Sequence, residues 1–204
     1  MNHKVNNVQQ LYYSASDLYT NIVVGGDASA DTIIHNLVDA IENLKLNWKG
    51  IDAGLKIQEL IKVHNEMVTV RNALAQLACD SSTVAANYRE IQNTNGAMLE
   101  PLSPLNIDTK SVLGDYSDTA DTIDINPSAE EGRTHVDAAN ADIDTFINNT
   151  SSKYQEIMDN WTAGTGRESA QGAFDTFVSN AKNYKETLAD VSENVAKALQ
   201  NYSF

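Results

Sequence analysis

Apolar residues recur along most of this chain at alternating intervals of three and four positions, the spacing that aligns side chains along one face of an α-helix. The longest run predicts a helix of about 40 residues that ends near Asn95-Gly96, because glycine is a common helix stop. A shorter run predicts the helix that precedes it. The shorter stripe contains Ile34, Leu37, Ile41, Leu44 and Trp48, and the longer one contains Leu60, Val63, Met67, Val70, Leu74, Leu77, Ser81, Val84, Tyr88 and Ile91.

The second half of the chain repeats this pattern. From Ile147 to Trp161 its first stripe matches the earlier one at an offset of 113 residues, and its second stripe matches at an offset of 114. The offset changes at the corner, where Trp48-Lys49-Gly50 becomes Trp161-Thr162-Ala163-Gly164, and turns tolerate such insertions. The sequence therefore predicts a duplicated helical hairpin. The repeated stripes contain Ile143, Ile147, Thr150, Tyr154, Ile157 and Trp161, then Phe174, Phe177, Ala181, Tyr184, Leu188, Val191, Val195, Ala198 and Tyr202.

Each apolar-striped hairpin needs a second surface against which to bury its stripe. We therefore expect an all-α fold in which two tandem antiparallel hairpins pack as a four-helix bundle, a pseudo-dimer within one chain. The expected divisions are an N-terminal extension (1–27), a first hairpin (28–96), an acidic linker (97–127) and a second hairpin (128–204). The residues expected to form the core and the interface between hairpins are Leu37, Ile41, Leu44, Leu60, Met67, Leu74, Ile147, Tyr154, Ile157, Phe174, Phe177, Tyr184 and Leu188.

The segments outside the hairpins carry weaker signals. Apolar steps from Val5 to Ile22 predict a short helix, which Gly25-Gly26 should break or kink. Pro101, Pro104 and Gly114 predict a mostly extended linker, long enough for the second hairpin to fold back beside the first. The expected helix caps are Asp52 and the capping boxes that begin at Ser128 and at Thr165.

Composition narrows the possible partners. The chain has 28 acidic and 14 basic residues, a formal charge of −14, so phosphate backbones and anionic membrane surfaces are poor partners. Its one cysteine, Cys79, excludes a disulfide within the chain and is expected to be a semi-buried filler. The first residues lack the apolar run of a cleaved signal peptide, and no stretch is apolar enough for a membrane span. Export would then use a leaderless route.

The sequence contains no recognisable catalytic or metal-binding pattern. The histidines lack the spacing of helical metal ligands, and His35 and His64, which flank apolar stripes, are expected to be solvated. Aspartates recur every third residue from Asp115 to Asp124, which does not match a calcium loop; an acidic linker is the favoured interpretation, with weak cation binding as the alternative. We therefore expect a protein that is not an enzyme and that needs no metal or cofactor.

The corners themselves point to a family. Glycine permits a tight reversal, and a tryptophan one turn earlier can cover the end of the seam between two helices. Trp48, Gly50, Trp161 and Gly164 are thus the expected turn motifs, and each tryptophan could also serve in docking. The arrangement resembles the WXG family of small early-secreted-antigen-like proteins of bacterial type VII secretion. Trp48-Lys49-Gly50 matches the family motif and Trp161-Thr162-Ala163-Gly164 is an expanded form, with the resemblance covering residues 28–96 and 128–204.

The resemblance implies a function through protein–protein contacts. Family members pair as antiparallel hairpins and leave the cell folded, so a fused pair would be exported, or would accompany an exported effector, and would be cytoplasmic before export. A close variant is a cytoplasmic helper of a larger toxin. No Tyr-x-x-x-Asp/Glu export signal follows either second helix, since Gln92 and Leu188 lie four positions after Tyr88 and Tyr184. The alternative is a helical adaptor or structural bundle unrelated to secretion.

Overall fold

The protein is mostly helical, as the sequence predicts. The computed structural model describes residues 5–121, 123–162 and 165–201. Two short strands pair near the first corner. In chain order, the elements are α1 (Val8–Asp17), a π-helix (Leu18–Val24), α2 (Ala30–Asn47), β1 (Trp48–Lys49), α3 (Ile51–Thr94), β2 (Asp124–Ile125), α4 (Ala129–Asn160) and α5 (Thr165–Asn201).

The N-terminal region forms a helix that is interrupted at the glycines, as expected. Asn7 caps α1 by accepting the backbone N–H of Gln10, and Ser29 caps α2 by accepting that of Thr32. Between them the π-helix ends at Gly25, and Gly26 adopts a φ of 96°. The chain therefore restarts as a separately capped helix after the glycine pair.

Two of the expected caps are absent. Ser128 precedes α4 with helical φ and ψ, and its side chain makes no capping hydrogen bond, because a capping side chain reaches the first free N–H groups from an extended backbone. Asp52 lies inside the first turn of α3, and the N-cap position is Gly50. Asp52 can thus interact with the helix dipole but does not cap the helix. The side chain of Thr165, in the second predicted box, lies outside the described residues.

α3 spans 44 residues and is buried on more than one side. It contacts α1, the π-helix, α2 and α5. The helix ends at Thr94, and Gly96 adopts a φ of 91°, in agreement with the predicted stop. α3 therefore packs against α1, the π-helix, α2 and α5, whereas α4 packs mainly against α2 and α5.

The second half lies alongside the first with its helices reversed. Glu131, near the start of α4, accepts a hydrogen bond from Asn43, near the end of α2. Lys153 of α4 pairs with Asp17 at 2.8 Å, and three residues further along α4 Glu156 accepts a hydrogen bond from Ser14, three residues earlier in α1. α4 thus runs antiparallel to both α2 and α1.

α5 runs antiparallel to two neighbours. Lys56, near the start of α3, pairs with Asp190 of α5 at 2.6 Å. Tyr154, near the end of α4, stacks on Phe174, near the start of α5, with ring centroids 6.1 Å apart. The described helices therefore form a bundle whose neighbouring helices are antiparallel.

Candidate functional site: the helix corners and the strap on α3

The first corner is joined to the end of the linker. Trp48 is 3% exposed, and its backbone pairs with Ile125 in the antiparallel β1–β2 ladder. Asn126 N–H also donates to the carbonyl of Asn47, at 2.8 Å. The first tryptophan therefore lies in the core, and the corner also holds the chain just before α4 begins.

Gly50 adopts a conformation that other residues rarely tolerate. Its φ of 118° and ψ of 168° fall in a region occupied almost entirely by glycine. Its N–H donates to the Asp118 carboxylate at 3.1 Å. Hydrogen bonds from the N–H groups of Ala120 and Gly50 hold the pKa of Asp118 below its usual value. The first corner thus requires glycine for its backbone geometry and binds the linker through that glycine.

The second corner contacts the N-terminal region instead. Trp161 is 2% exposed, and its backbone forms a bridge with Val5. Asn6 N–H donates to the carbonyl of Asn160 at 3.0 Å. The indole N–H of Trp161 has no hydrogen-bond partner among the described residues, and Gly164 lies outside them. Each tryptophan is therefore buried beside a segment that lies outside its own hairpin corner.

The two corners lie at opposite ends of α4. Trp48 pairs with Ile125, four residues before α4 begins, whereas Trp161 directly follows its last residue. α4 has 32 residues, so at about 1.5 Å per residue the corners are separated by about 48 Å.

Most of the expected stripe residues lie in the core. Among the residues expected to form the core and the interface between hairpins, three of the second half are half-buried and pack against the core: Ile147, Tyr154 and Tyr184. The buried ones are Leu37, Ile41, Leu44, Leu60, Met67, Leu74, Ile157, Phe174, Phe177 and Leu188. Elsewhere on the stripes, Val84, Tyr88 and Ala198 are half-buried, and Ile91 is exposed.

The linker is bound along the length of α3. We refer to residues 97–121 as the strap. Its backbone lies in contact with side chains of α3 from the last turn of the helix to the first, so it runs antiparallel to α3. The strap has no helix or strand, which agrees with the expected extended linker.

Amide side chains on α3 hold the strap by its backbone. Asn72 donates to the carbonyl of Lys110 at 2.8 Å and accepts the Lys110 N–H at 2.9 Å. Asn65 makes the same pair of bonds to Leu113, at 2.9 and 2.8 Å. Near the end of the helix, Asn93 does so with Leu99. Each side-chain amide therefore supplies the donor and the acceptor that the backbone of a neighbouring β-strand would supply in a sheet.

The spacing of these amides matches the rise of an extended chain. Gln58, seven positions before Asn65, accepts the N–H of Tyr116, three positions after Leu113. Seven helical residues rise about 10.5 Å, and three extended residues span about 9–10 Å. One heptad on α3 thus corresponds to three strap residues. We call Gln58, Asn65, Asn72 and Asn93 the amide ladder.

A buried arginine ties the strap to two helices. The Arg71 side chain is 0% exposed, and its guanidinium bonds Asp31 of α2 at 2.9 Å and Asp108 of the strap at 2.6 Å. The Arg71 contact is the main reason that the pKa of Asp108 lies below its usual value. Tyr19 of the π-helix also donates to Asp108, at 3.0 Å. Four segments therefore meet at one buried charge.

The expectation that His64 is solvated is wrong. This histidine is 2% exposed and lies beside Asn65, and burial lowers its pKa.

The amide ladder was not predicted, although Asn and Gln residues spaced by one heptad were visible in the sequence. A polar line on a long helix usually faces water, so the spacing alone does not identify it as a binding surface.

Within the described residues there is no group of three or more histidine, cysteine, aspartate or glutamate side chains that could hold a metal ion. The described helices also include none that is both long and apolar enough to cross a lipid bilayer. The features that the structure adds to the sequence are contacts between distant segments of the chain, at the two corners and along α3.

Comparisons of the chain with protein-family models, with curated proteins and with solved structures returned no match. The class that the fold and the site define is thus a helical bundle with two buried tryptophan corners. The resemblance to the WXG family rests on the sequence motifs.

Proposed function

We propose that this chain is a fused pair of WXG-like hairpins, folded as a four-helix bundle, that works in bacterial type VII secretion through protein–protein interaction. The observation that most supports this is the position of Trp48 and Trp161 at opposite ends of α4. Two antiparallel hairpins related by a two-fold axis would place their corners in this way. The chain would then act as a pseudo-dimer whose two members are covalently joined.

Such a pseudo-dimer has two possible roles in the pathway. It is exported itself, or it accompanies an exported effector by pairing with it. Its partners would be effectors or other type VII components, and its contact with membrane would be through that machinery. The alternative is a helical adaptor or structural bundle unrelated to secretion, and it is favoured by Gln92, which stands where an acidic residue would complete a Tyr-x-x-x-Asp/Glu signal after Tyr88.

Fractionation of the source bacterium tests the pathway. We expect the protein in the medium of a culture with an intact type VII ATPase, and a reduced amount in the medium of a strain that lacks this ATPase. A cytosolic enzyme measured in both media controls for lysis. Equal amounts in the two media would contradict export by this pathway. If the protein stays in the cytosol of both strains, co-purification of a type VII effector supports the partner role, and its absence supports the adaptor.

A distance measurement tests the pseudo-dimer in solution. Spin labels on Leu46→Cys and Asp159→Cys, in a Cys79→Ser background, would report on the two corners, because both positions are exposed. We expect a separation on the order of 50 Å, because Leu46 lies beside Asn47, which bonds Asn126, and about 33 residues at the helical rise separate position 126 from Asp159. A separation below about 20 Å would mean parallel packing of the hairpins and would contradict the pseudo-dimer.

A further inference from the structure

We propose that the strap-bearing face of α3 is a binding groove for an extended, acidic segment of a partner protein, and that the strap is its intramolecular occupant. This inference rests on the amide ladder and on Arg71, and it does not depend on the secretion pathway proposed above.

The ladder recognises backbone rather than sequence. Asn65, Asn72 and Asn93 each bond both the N–H and the carbonyl of one strap residue. Any extended segment offers the same groups at the same rise, except where proline removes an N–H. The ladder therefore sets the conformation and register of an occupant and leaves most of its side chains free.

Two features of the groove select the occupant's side chains. Arg71 requires a carboxylate, which Asp108 supplies in the strap. Five apolar strap residues are half-buried against the core: Leu102, Leu105, Ile107, Leu113 and Tyr116. The groove thus fits an acidic segment whose apolar residues lie on the side that faces the core.

The strap is held in a way that permits exchange. All of its residues lie within the described chain, and every one is half-buried or exposed. A cleft of about 380 Å³ opens between the last turns of α3 and Pro101 and Pro104 of the strap. Segments with few buried apolar contacts open at a low free-energy cost compared with the core. A partner's segment can therefore replace the strap while the helices beneath remain packed.

The equivalent face of the second half cannot bind a segment in this way. An offset of 114 carries Gln58, Asn65 and Asn72 of the ladder to Gly172, Ser179 and Glu186 of α5. None of these is an amide, and the hydroxyl of Ser179 donates to the Asp175 carbonyl of its own helix. The groove on α3 is thus specific to the first half and is not a general property of the repeat.

A peptide titration tests the groove. The probe is a fluorescent peptide with the sequence of residues 97–121, and the receptor is the full chain with its strap weakened by Asp108→Ser, Leu113→Ser and Tyr116→Ser. We expect the weakened chain to bind the peptide at least tenfold more tightly than the unaltered chain, in which the strap competes as a tethered ligand. Far-UV circular dichroism and size-exclusion chromatography check that the weakened chain is folded.

Two matched controls address the chemistry. Adding Asn65→Leu and Asn72→Leu to the weakened chain should abolish binding, and the peptide with Asp108→Asn should bind about tenfold more weakly because Arg71 loses its charged partner. Equal binding by the weakened, the unaltered and the ladder-deleted chains would overturn the proposal, as would no binding to a folded, weakened chain.

Hydrogen exchange keeps the test decisive if the weakened chain does not fold. In the unaltered chain, the strap amides of Lys110 and Leu113 should exchange at least about 100-fold faster than the Leu74 amide, because the strap opens locally. Strap amides as protected as Leu74 would mean that the strap leaves only when the whole protein unfolds, and the proposal would fail.

Discussion

The two halves of this protein share a repeat but differ on their outer faces. In the first half, the helix before the corner is interrupted by a π-helix and a glycine pair, and the helix after it carries the strap. In the second half, α4 is continuous, and positions 138 and 139, which match the glycine pair at the offset of 113, are alanines. The apolar stripes match, whereas the residues that bind other segments do not. The matched positions of the two halves thus agree in the core and differ on the outer faces.

One matched pair of residues shows what the strap contributes. Arg71 with Asp31 in the first half corresponds to Lys185 with Asp144 in the second, at offsets of 114 and 113. Both pairs form an ion pair. The Arg71 side chain is 0% exposed and that of Lys185 is 36% exposed. The same position is therefore a buried link in one half and a surface ion pair in the other.

The largest expected effect on stability comes from removing the cation of the first of these two ion pairs. Arg71→Ala should lower the free energy of unfolding by about 3–5 kcal/mol, because it removes the buried cation that joins the largely buried Asp31 to the strap's Asp108. Lys185→Ala should cost less than about 1 kcal/mol, as exposed pairs usually do. Urea denaturation of both variants measures the difference. Similar costs would show that the strap does not bury the first pair in solution.

Core leucines should show the two halves to be equivalent. Leu74 and Leu188 occupy matched positions, and both are fully buried. Each change to alanine should cost about 2–5 kcal/mol, since a cavity is added to the lost transfer free energy. The two values, from the same denaturant series, should agree to within about 1 kcal/mol. A small cost for Leu188→Ala alone would indicate that the second hairpin is loosely packed.

The first corner should be sensitive to any side chain on its glycine. Gly50→Val should cost about 1–3 kcal/mol, because its φ of 118° strains a β-branched residue. Lys49→Ala, next to it, is the control and should change stability by less than about 0.5 kcal/mol. Thermal unfolding of both variants gives the comparison. A neutral Gly50→Val would mean that the corner is not the strained turn described above.

Glycine should be more stable than alanine at position 26 in the first half, and alanine should be more stable than glycine at the matched position 139 in the second half. Gly26→Ala should cost about 1–2 kcal/mol, because φ is 96° and the new methyl carbon would lie 2.5 Å from the carbonyl oxygen of Asn21. Ala139→Gly at the matched position should cost about 1 kcal/mol through lost helix propensity. Denaturant midpoints measure both. If Gly26→Ala were stabilising, the break would not be a required feature of the first half.

The smallest expected effect depends on pH. Burial lowers the pKa of His64 in the folded protein, so as the pH falls through about 6.5 the unfolded chain binds a proton at this histidine more readily than the folded protein does. Stability should therefore fall below that pH, by at most about 1.4 kcal/mol per pH unit. His64→Leu should remove this part of the slope, and Val178→Leu, at the matched position, should not. An unchanged slope in His64→Leu would mean that this histidine is solvated.

The sequence predicts the helices well because their cause is local. The alternating steps from Leu60 to Ile91 lie within α3, and the stop near Asn95 is found where glycine allows it. The π-helix was not predicted, because the apolar steps of the N-terminal region continue to Ile22 at the spacing of an α-helix. The capping role expected of Ser128 failed because a capping motif does not fix the backbone conformation of the residue that carries it.

The strap and the burial of His64 could not be predicted for a different reason. The partners of Asn65 and Asn72 are 48 and 38 residues away, in a segment without periodic structure. A sequence pattern reports what a helix presents along its own faces but not which distant segment lies on them. The corners were predicted only in part. Gly50 was expected to provide a tight turn, whereas the pairing of Trp48 with Ile125 was not predicted.

The match between heptads and strap triplets constrains how the length of the chain can change. Surface loops ordinarily accept insertions of any size. Between Lys110 and Tyr116, however, an insertion of one or two residues would leave the following peptide groups between the amides of the ladder. An insertion of three would carry the strap to the next amide but leave it about one heptad out of step at Gly50 and β1. Changes of length in this fold should therefore collect outside the segment from Leu99 to Asp118, whose ends are held by Asn93 and Gly50.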